Sequence, residues 1–210
     1  MQSWGLRSAW SSRDTAAFPT KSGIVGLLAC SLGARSDETI LRIAQAIRVG
    51  IRADKPGALA QDYATWGGAY PAHTMGNGRL KKTAAGYHTE QVFKDYLADS
   101  SFLAAIQAAE VELFSDLVAA VKFPKWPQYL GRKAYFPAVP IFAGEQDFPD
   151  LEAALTGFAW PPDGLGRVAQ VECDPTAPGA IRLRDQVLSA RHRQFAPRYT
   201  REIVLVPQEV

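Results

Sequence analysis

The chain has 210 residues, enough to bury a sizeable core without disulfides, which excludes a cystine-stapled miniprotein. Hydrophobic residues make up 47% and charged residues 21%, close to globular averages, so neither a disordered chain nor a collagen-like repeat fits. Lys plus Arg number 23 against 21 Asp plus Glu, and the resulting net charge of +2 by itself points to no partner. No apolar run approaches the roughly 20 residues that span a bilayer, and M-Q-S-W-G-L-R lacks the apolar stretch of a signal peptide. A soluble, cytoplasmic protein is expected. The two cysteines, Cys30 and Cys173, lie apart among apolar neighbours and read as reduced core residues, with no metal site or cofactor implied.

In chain order, Thr20-Lys21-Ser22-Gly23 leads into I-V-G-L-L-A-C-S-L-G. There Ile24, Leu27, Leu28 and Ser31 recur at helical spacing and Gly33 supplies a stop, which predicts a short buried helix. Its first turn offers hydroxyls, an ammonium and backbone N–H groups at the positive end of the helix dipole: a seat for phosphate, or a plain N-cap that needs no ligand. Asp37 is expected to cap a second helix with an apolar stripe of Ile40, Ile43, Ala44 and Ile47, before V-G-I-R-A-D at 49–54 alternates like a strand. Residues 60–89 are glycine-rich with no sustained period, which predicts a protruding hairpin or loop. Residues 91–107 read as one extended strand, packing Phe93, Tyr96, Leu97, Phe102 and Leu103, with a helix as the alternative. A helix follows at 111–121, ended by Pro124 and Pro127. Runs at 167–173, 181–188 and 202–206 read as strands. This order predicts a single α+β domain over 1–210, a ferredoxin-like or RRM-like sheet with helices on one face.

Charge is distributed in blocks. Residues 63–89 carry Arg79, Lys81 and Lys82 without an acid, and residues 117–144 carry Lys122, Lys125, Arg132 and Lys133, again without one. Residues 175–201 hold six arginines against Asp185 alone. The acids concentrate at 90–116 and 145–174. Such blocks suggest a positive groove for a polyanion on one side and acidic surface elsewhere, the alternative being ordinary solvated faces. Aromatic residues interleave with the bases: Trp66, Tyr70 and Tyr87 in the first tract, and Trp126, Tyr129, Tyr135 and Phe136 in the second. Ring faces beside phosphate-binding cations are what single-stranded nucleic acid requires.

Four blocks carry a resemblance: M-Q-S-W-G at 1–5, R-D-T-A-A-F-P-T-K-S-G-I-V-G-L-L at 13–28, K-D-Y-L-A-D-S-S-F at 94–102 and Y-L-G-R-K-A-Y-F-P at 129–137, with R-Q-F-A-P-R at 193–198 as weaker support. In order and spacing they resemble the CasD family of type I-E CRISPR Cascade, within the RAMP superfamily. The resemblance implies a non-catalytic subunit that grips the 5′ handle of the CRISPR RNA (crRNA), with a ferredoxin-like palm and a projecting thumb hairpin. It carries Gln2, Trp4, Arg13, Lys21, Ser22, Arg132 and Lys133 onto the handle-binding region, with Arg193 beside them. Lys94 falls at the thumb base, where relatives often have an arginine, so it supplies charge without a planar fork. Residues 62–90 correspond to the thumb, with Trp66, Tyr70, Arg79, Lys81, Lys82, Tyr87 and His88 facing the guide and the neighbouring CasC backbone subunit. The implied partners also include the CasA large subunit and, through the guide, target DNA; no catalytic residue is expected. Relatives have an apolar strand ahead of the Q-x-W-G block, so either the start lies upstream of Met1 or the sheet lacks an edge or central strand. D-Y-A-T at 62–65 also departs from the family, which commonly has His in place of Ala64.

Two other readings compete. Type I-C relatives process CRISPR RNA themselves, and Tyr87, His88 and Lys81 or Lys82 are candidates for metal-independent cleavage. A structural adaptor whose basic tracts meet acidic protein is the third. Individual residues also have plainer readings: Gly131 as a tight turn instead of a site of phosphate approach, Trp4 as core packing, and Arg193 as a partner for an acid of 145–174.

Overall fold

The structure, a computed structural model, describes residues 1–7, 11–67, 82–83, 86–87, 89–162, 164 and 166–205. In chain order the described elements are β1 (Ser12–Arg13), α1 (Lys21–Leu32), α2 (Asp37–Ala46), β2 (Ile47–Lys55), β3 (Ala58–Gly67), β4 (Lys82–Thr83), β5 (Gly86–Tyr87), β6 (Thr89–Ala98), β7 (Ser101–Ala108), α3 (Val111–Lys122), α4 (Leu151–Gly157), β8 (Val168–Glu172), β9 (Ile181–Ser189) and β10 (Gln194–Val204). The fold is α+β, as expected.

The principal sheet has five antiparallel strands in the order β7-β2-β8-β10-β9. Alternation along β2 sorts its two faces. Ile47, Val49 and Ile51 join Ile24, Val25 and Leu28 of α1, Ile43 and Ala44 of α2 and Leu113 and Leu117 of α3 in the larger core. Gly50 and Arg52 face the other way. A Cβ on Gly50 would stand 3.0 Å from Leu155 Cδ1, so the missing side chain lets α4 pack closely. Leu151 and Leu155 of α4 meet Ala169, Val171 and Leu205 there. The expectation of helices on one face therefore holds for α1–α3 and fails for α4, which 145–174 hides because the helix is only two turns long.

Arg52 explains how so short a helix is held. Its side chain is fully buried, 0% exposed, and donates to the carbonyls of Leu155 (2.6 Å), Phe158 (2.8 Å) and Ala159 (2.9 Å). The first two belong to the last turn and cap of α4, where a helix leaves its carbonyls unpaired, and the third to the residue that follows the cap. Asp54 Oδ1 accepts from Arg52 Nε at 2.6 Å, and the guanidinium lies over the Trp160 ring at 4.0 Å.

The second sheet, β1-β6-β3, is built on a long hairpin. Register runs from Ala58 opposite Ala98 to Gly67 opposite Thr89, so of the two expectations for 60–89 the hairpin fits the described residues, and its paired arms begin before residue 62. Tyr70, Arg79, Lys81 and His88 lie outside the described residues; Trp66, Lys82 and Tyr87 are described for backbone only, on β3, β4 and β5. The single strand expected over 91–107 is two, β6 and β7, divided at Asp99 with φ 54°. The cap of α2 is Ser36, whose side chain accepts from Thr39 N, while Ile47 already belongs to β2. β10 starts at Gln194, well before the expected 202.

Replacing Arg52 by Ala should cost roughly 3–5 kcal/mol, because one buried partner is lost while its carbonyls and Asp54 stay buried. Arg201→Ala, which breaks a half-exposed pair with Glu152, should cost under about 1 kcal/mol. Urea unfolding of the two variants reads the difference.

Candidate nucleic-acid interface

Gln2 starts the site by fastening the amino-terminal segment to the hairpin. Its backbone exchanges hydrogen bonds with Leu97, and its Nε2 donates to Ser100 O at 2.9 Å. Trp4 follows, 3% exposed, with Nε1 donating to Gln2 Oε1 at 3.1 Å and its ring over α1 where a Cβ on Gly23 would clash at 2.6 Å. Core packing thus accounts for both residues, and Gly23 is the space the indole occupies.

The 129–136 turn lies against this segment. Ser3 N donates to Leu130 O, and Gly131, at φ 86°, brings its backbone so near that a Cβ would fall 1.6 Å from Ser3 O. A carbonyl of the chain itself fills the place assigned to phosphate, so the tight-turn reading of Gly131 is correct. Arg132 is half-buried and oriented: Nη1 donates to Tyr135 Oη at 3.1 Å and Nη2 to Arg13 O at 3.2 Å. Lys133 beside it is exposed.

The opposite wall is the β9–β10 hairpin, positioned by Asp37. That carboxylate accepts from Ser189 Oγ (2.7 Å), Ala190 N (2.6 Å) and Arg191 N (3.1 Å), and these bonds, led by the Ser189 hydroxyl, hold its pKa below the ordinary carboxylate value. Arg193 sits in the turn at φ 51°. Among the described residues neither Arg193 nor Arg182, Arg184 or Lys133 forms an ion pair.

Between these walls runs a groove of about 1730 Å³, with the face of α1 bearing Ser22, Gly23 and Gly26 along it. A Cβ on Gly26 would meet nothing within 4 Å, so the helix is bare at that turn, one turn beyond the Trp4 ring over Gly23. Arg7, Arg13, Arg132 and Lys133 line one part of the groove, and Arg182, Arg184 and Arg193 another; the one acid among the described lining residues is Asp14, whose oxygens accept from Leu6 N and Arg7 N. Cations without counter-charges around a cleft concentrate a positive field there.

The groove thus brings together Trp4, Arg13, Ser22, Arg132, Lys133 and Arg193 of the residues expected from sequence. Gln2 and Lys94 do not line it; Lys94 is half-buried on β6, in register between Arg13 on β1 and Asp62 on β3. Lys21 turns inward, 3% exposed, with Nζ 3.2 Å from Glu172 Oε2. Burial pulls its pKa below the ordinary lysine value, against the opposing pull of Glu172. Its backbone N donates to Asp185 Oδ2 at 2.8 Å, and Thr20 Oγ1 accepts from Gly23 N, so two donors of the first turn already have partners within the chain. The plain N-cap reading prevails over a phosphate seat. Sequence reading passed over Arg7, Arg182 and Arg184, although the arginine-rich tract at 175–201 carried the signal for the last two. Both cysteines are half-buried, not core, and Cys30 lines the groove with its thiol pKa raised by burial.

Fold and groove together define an α+β protein with a cation-lined cleft between a hairpin-anchored loop and a sheet edge. The family model described as CRISPR-associated protein (Cas_Cas5) matches residues 1–196, and the chain belongs to that family. It is 30% identical over 203 residues to the CRISPR system Cascade subunit CasD of Escherichia coli (strain K12), covering 94% of this chain and 89% of the relative. A chain of a solved CRISPR RNA-guided surveillance complex superposes with a TM-score of 0.71 at 25% identity, over 99% of this chain and 87% of that one. A solved structure described as a Cas protein does so with a TM-score of 0.67 at 31% identity, over 99% and 93%.

Lys21→Ala should destabilise the protein by about 2–3 kcal/mol, since it removes a buried ammonium and leaves the half-buried Glu172 with one partner fewer, whereas Lys133→Ala should change stability by less than about 0.5 kcal/mol. The unfolded chain holds the Lys21 proton more tightly than the folded one. Stability of the unaltered protein should therefore gain from this residue as pH rises from its lowered pKa towards the ordinary lysine value, a gain missing from Lys21→Ala. Urea titrations across that alkaline range check both statements.

Proposed function

We propose that the chain is the crRNA-binding subunit of a type I-E CRISPR surveillance complex, holding the 5′ handle of the guide in the cation-lined groove without cutting it. The observation that carries this reading is the charge of the groove, whose described lining residues include seven cations against one acid that is already occupied by backbone N–H groups. A phosphate chain neutralises such a surface and releases counterions; an apolar protein segment would leave its cations desolvated. The names of the relatives, a Cascade subunit and an RNA-guided surveillance complex, agree with it. In this reading Arg13, Arg132, Lys133 and Arg193 contact the handle directly, with Ser22 on the bare face of α1. Gln2, Trp4 and Lys21 act by holding the walls in place. Lys94 lies at the base of the β3–β6 hairpin arm, which reaches the guide and the CasC backbone subunit, with CasA beyond.

Charge reversal at Arg132 and Lys133 together should weaken binding of handle-bearing RNA by at least tenfold at low salt and lessen the slope of log affinity against log salt by about 1.4, roughly 0.7 for each phosphate no longer neutralised on a single strand. Filter binding across a salt series reads both. Unchanged affinity and slope would sink the handle assignment.

The purified protein should leave CRISPR repeat RNA intact, with or without divalent metal. Discrete cleavage products that vanish in His88→Ala would show instead that the chain is a processing nuclease.

A further inference from the structure

The groove holds one feature that phosphate binding does not use. Phe136 lines it and is 64% exposed, although its neighbour Tyr135 is buried with its hydroxyl on Arg132. Leu6 and Leu188, also exposed, line the same groove. An aromatic side chain this open to water forgoes the stabilisation that burial of its ring would bring. Nothing in the local turn requires it, because the hydrogen bonds Leu130 N to Tyr135 O and Tyr135 N to Arg132 O close without involving residue 136.

Charge complementarity decides what would cover the ring. Arg132 and Lys133 precede it by four and three residues and line the same groove, so whatever rests on Phe136 lies within a field that selects a polyanion. Single-stranded RNA meets both demands: its phosphates answer the cations, and an unpaired base has an apolar face. We propose that Phe136 is a stacking platform for an unpaired nucleobase of the RNA strand lying in the groove. This rests on the groove reading above and adds to it an interaction of a different physical kind. Stacking releases no condensed counterions, so it raises affinity for base-bearing strands without steepening the salt dependence.

The test compares two probes on the full-length chain: oligoadenylate, which has phosphates and bases, and inorganic polyphosphate, which has charge alone. Phe136→Ala should bind oligoadenylate roughly tenfold more weakly with an unchanged salt slope, and polyphosphate as before; Phe136→Trp should restore oligoadenylate binding. Oligoadenylate affinity unaltered in Phe136→Ala would overturn the stacking assignment while leaving the groove reading intact. An equal loss for both probes would also overturn it, since the ring would then be shaping the groove. Failure of the unaltered protein to bind either probe would instead remove the groove reading on which the inference stands.

Discussion

Lys21, Asp185 and Arg198, all buried, and the half-buried Glu172 join the first helix to three strands of the principal sheet. Asp185 on β9 accepts two bonds from the Arg198 guanidinium on β10, at 2.9 and 2.7 Å, and a third from the backbone N of Lys21 at the start of α1. Glu172 on β8 holds the Lys21 ammonium and lies 3.8 Å from Arg198. Taking three charges from water and part of a fourth is costly, and apolar residues of the same volume would often be as stable. What the network supplies is direction. A hydrophobic contact between α1 and the sheet tolerates sliding, whereas a bidentate guanidinium and a carboxylate on a helix N–H admit one placement. That placement turns the bare face of α1 outward, and the groove exists because of it.

The cations of the chain divide into two kinds. Arg52 and Arg198 are paired and buried, and each holds structure together: one closes the end of α4, the other anchors β10. The groove cations Lys133, Arg182, Arg184 and Arg193 stand in solvent without carboxylates among the described residues. The same residue type therefore does two kinds of work according to whether an acid reaches it. Asp37 and Tyr135 show how the two are linked, since each uses its hydrogen bonds to fix a wall of the groove.

The hairpin and the sheet contribute unequally to this arrangement. The principal sheet is covered by α1–α3 on one face and α4 on the other, and carries both hydrophobic cores. The β3–β6 hairpin instead exposes Leu59, Tyr63 and Phe93, the last two with ring centroids 5.4 Å apart. It meets the amino-terminal segment through the Gln2 bridge to Leu97 and the parallel pairing of β1 with β6. The described residues 1–7 and 11–13 thus form the joint between hairpin and groove.

Much of the fold could be read from the order of residues. Helices α1 and α3 announced themselves because their apolar spacing, the cap at Thr20, the glycine at 33 and the prolines after 122 are local signals. The basic tracts were equally plain, since charge is countable. What sequence could not decide was which cations would find an acid: Lys21 lies 151 residues from Glu172, and Asp185 lies 13 from Arg198 on a neighbouring strand. Nor could it tell that Gly131 yields to the carbonyl of Ser3, that Gly23 makes room for Trp4, or that a two-turn α4 rests on a buried arginine. Helical and strand propensity act over a few residues and leave their trace in the sequence; ion pairing, close approach and burial are settled between segments far apart in the chain, and only the folded arrangement brings those segments within reach.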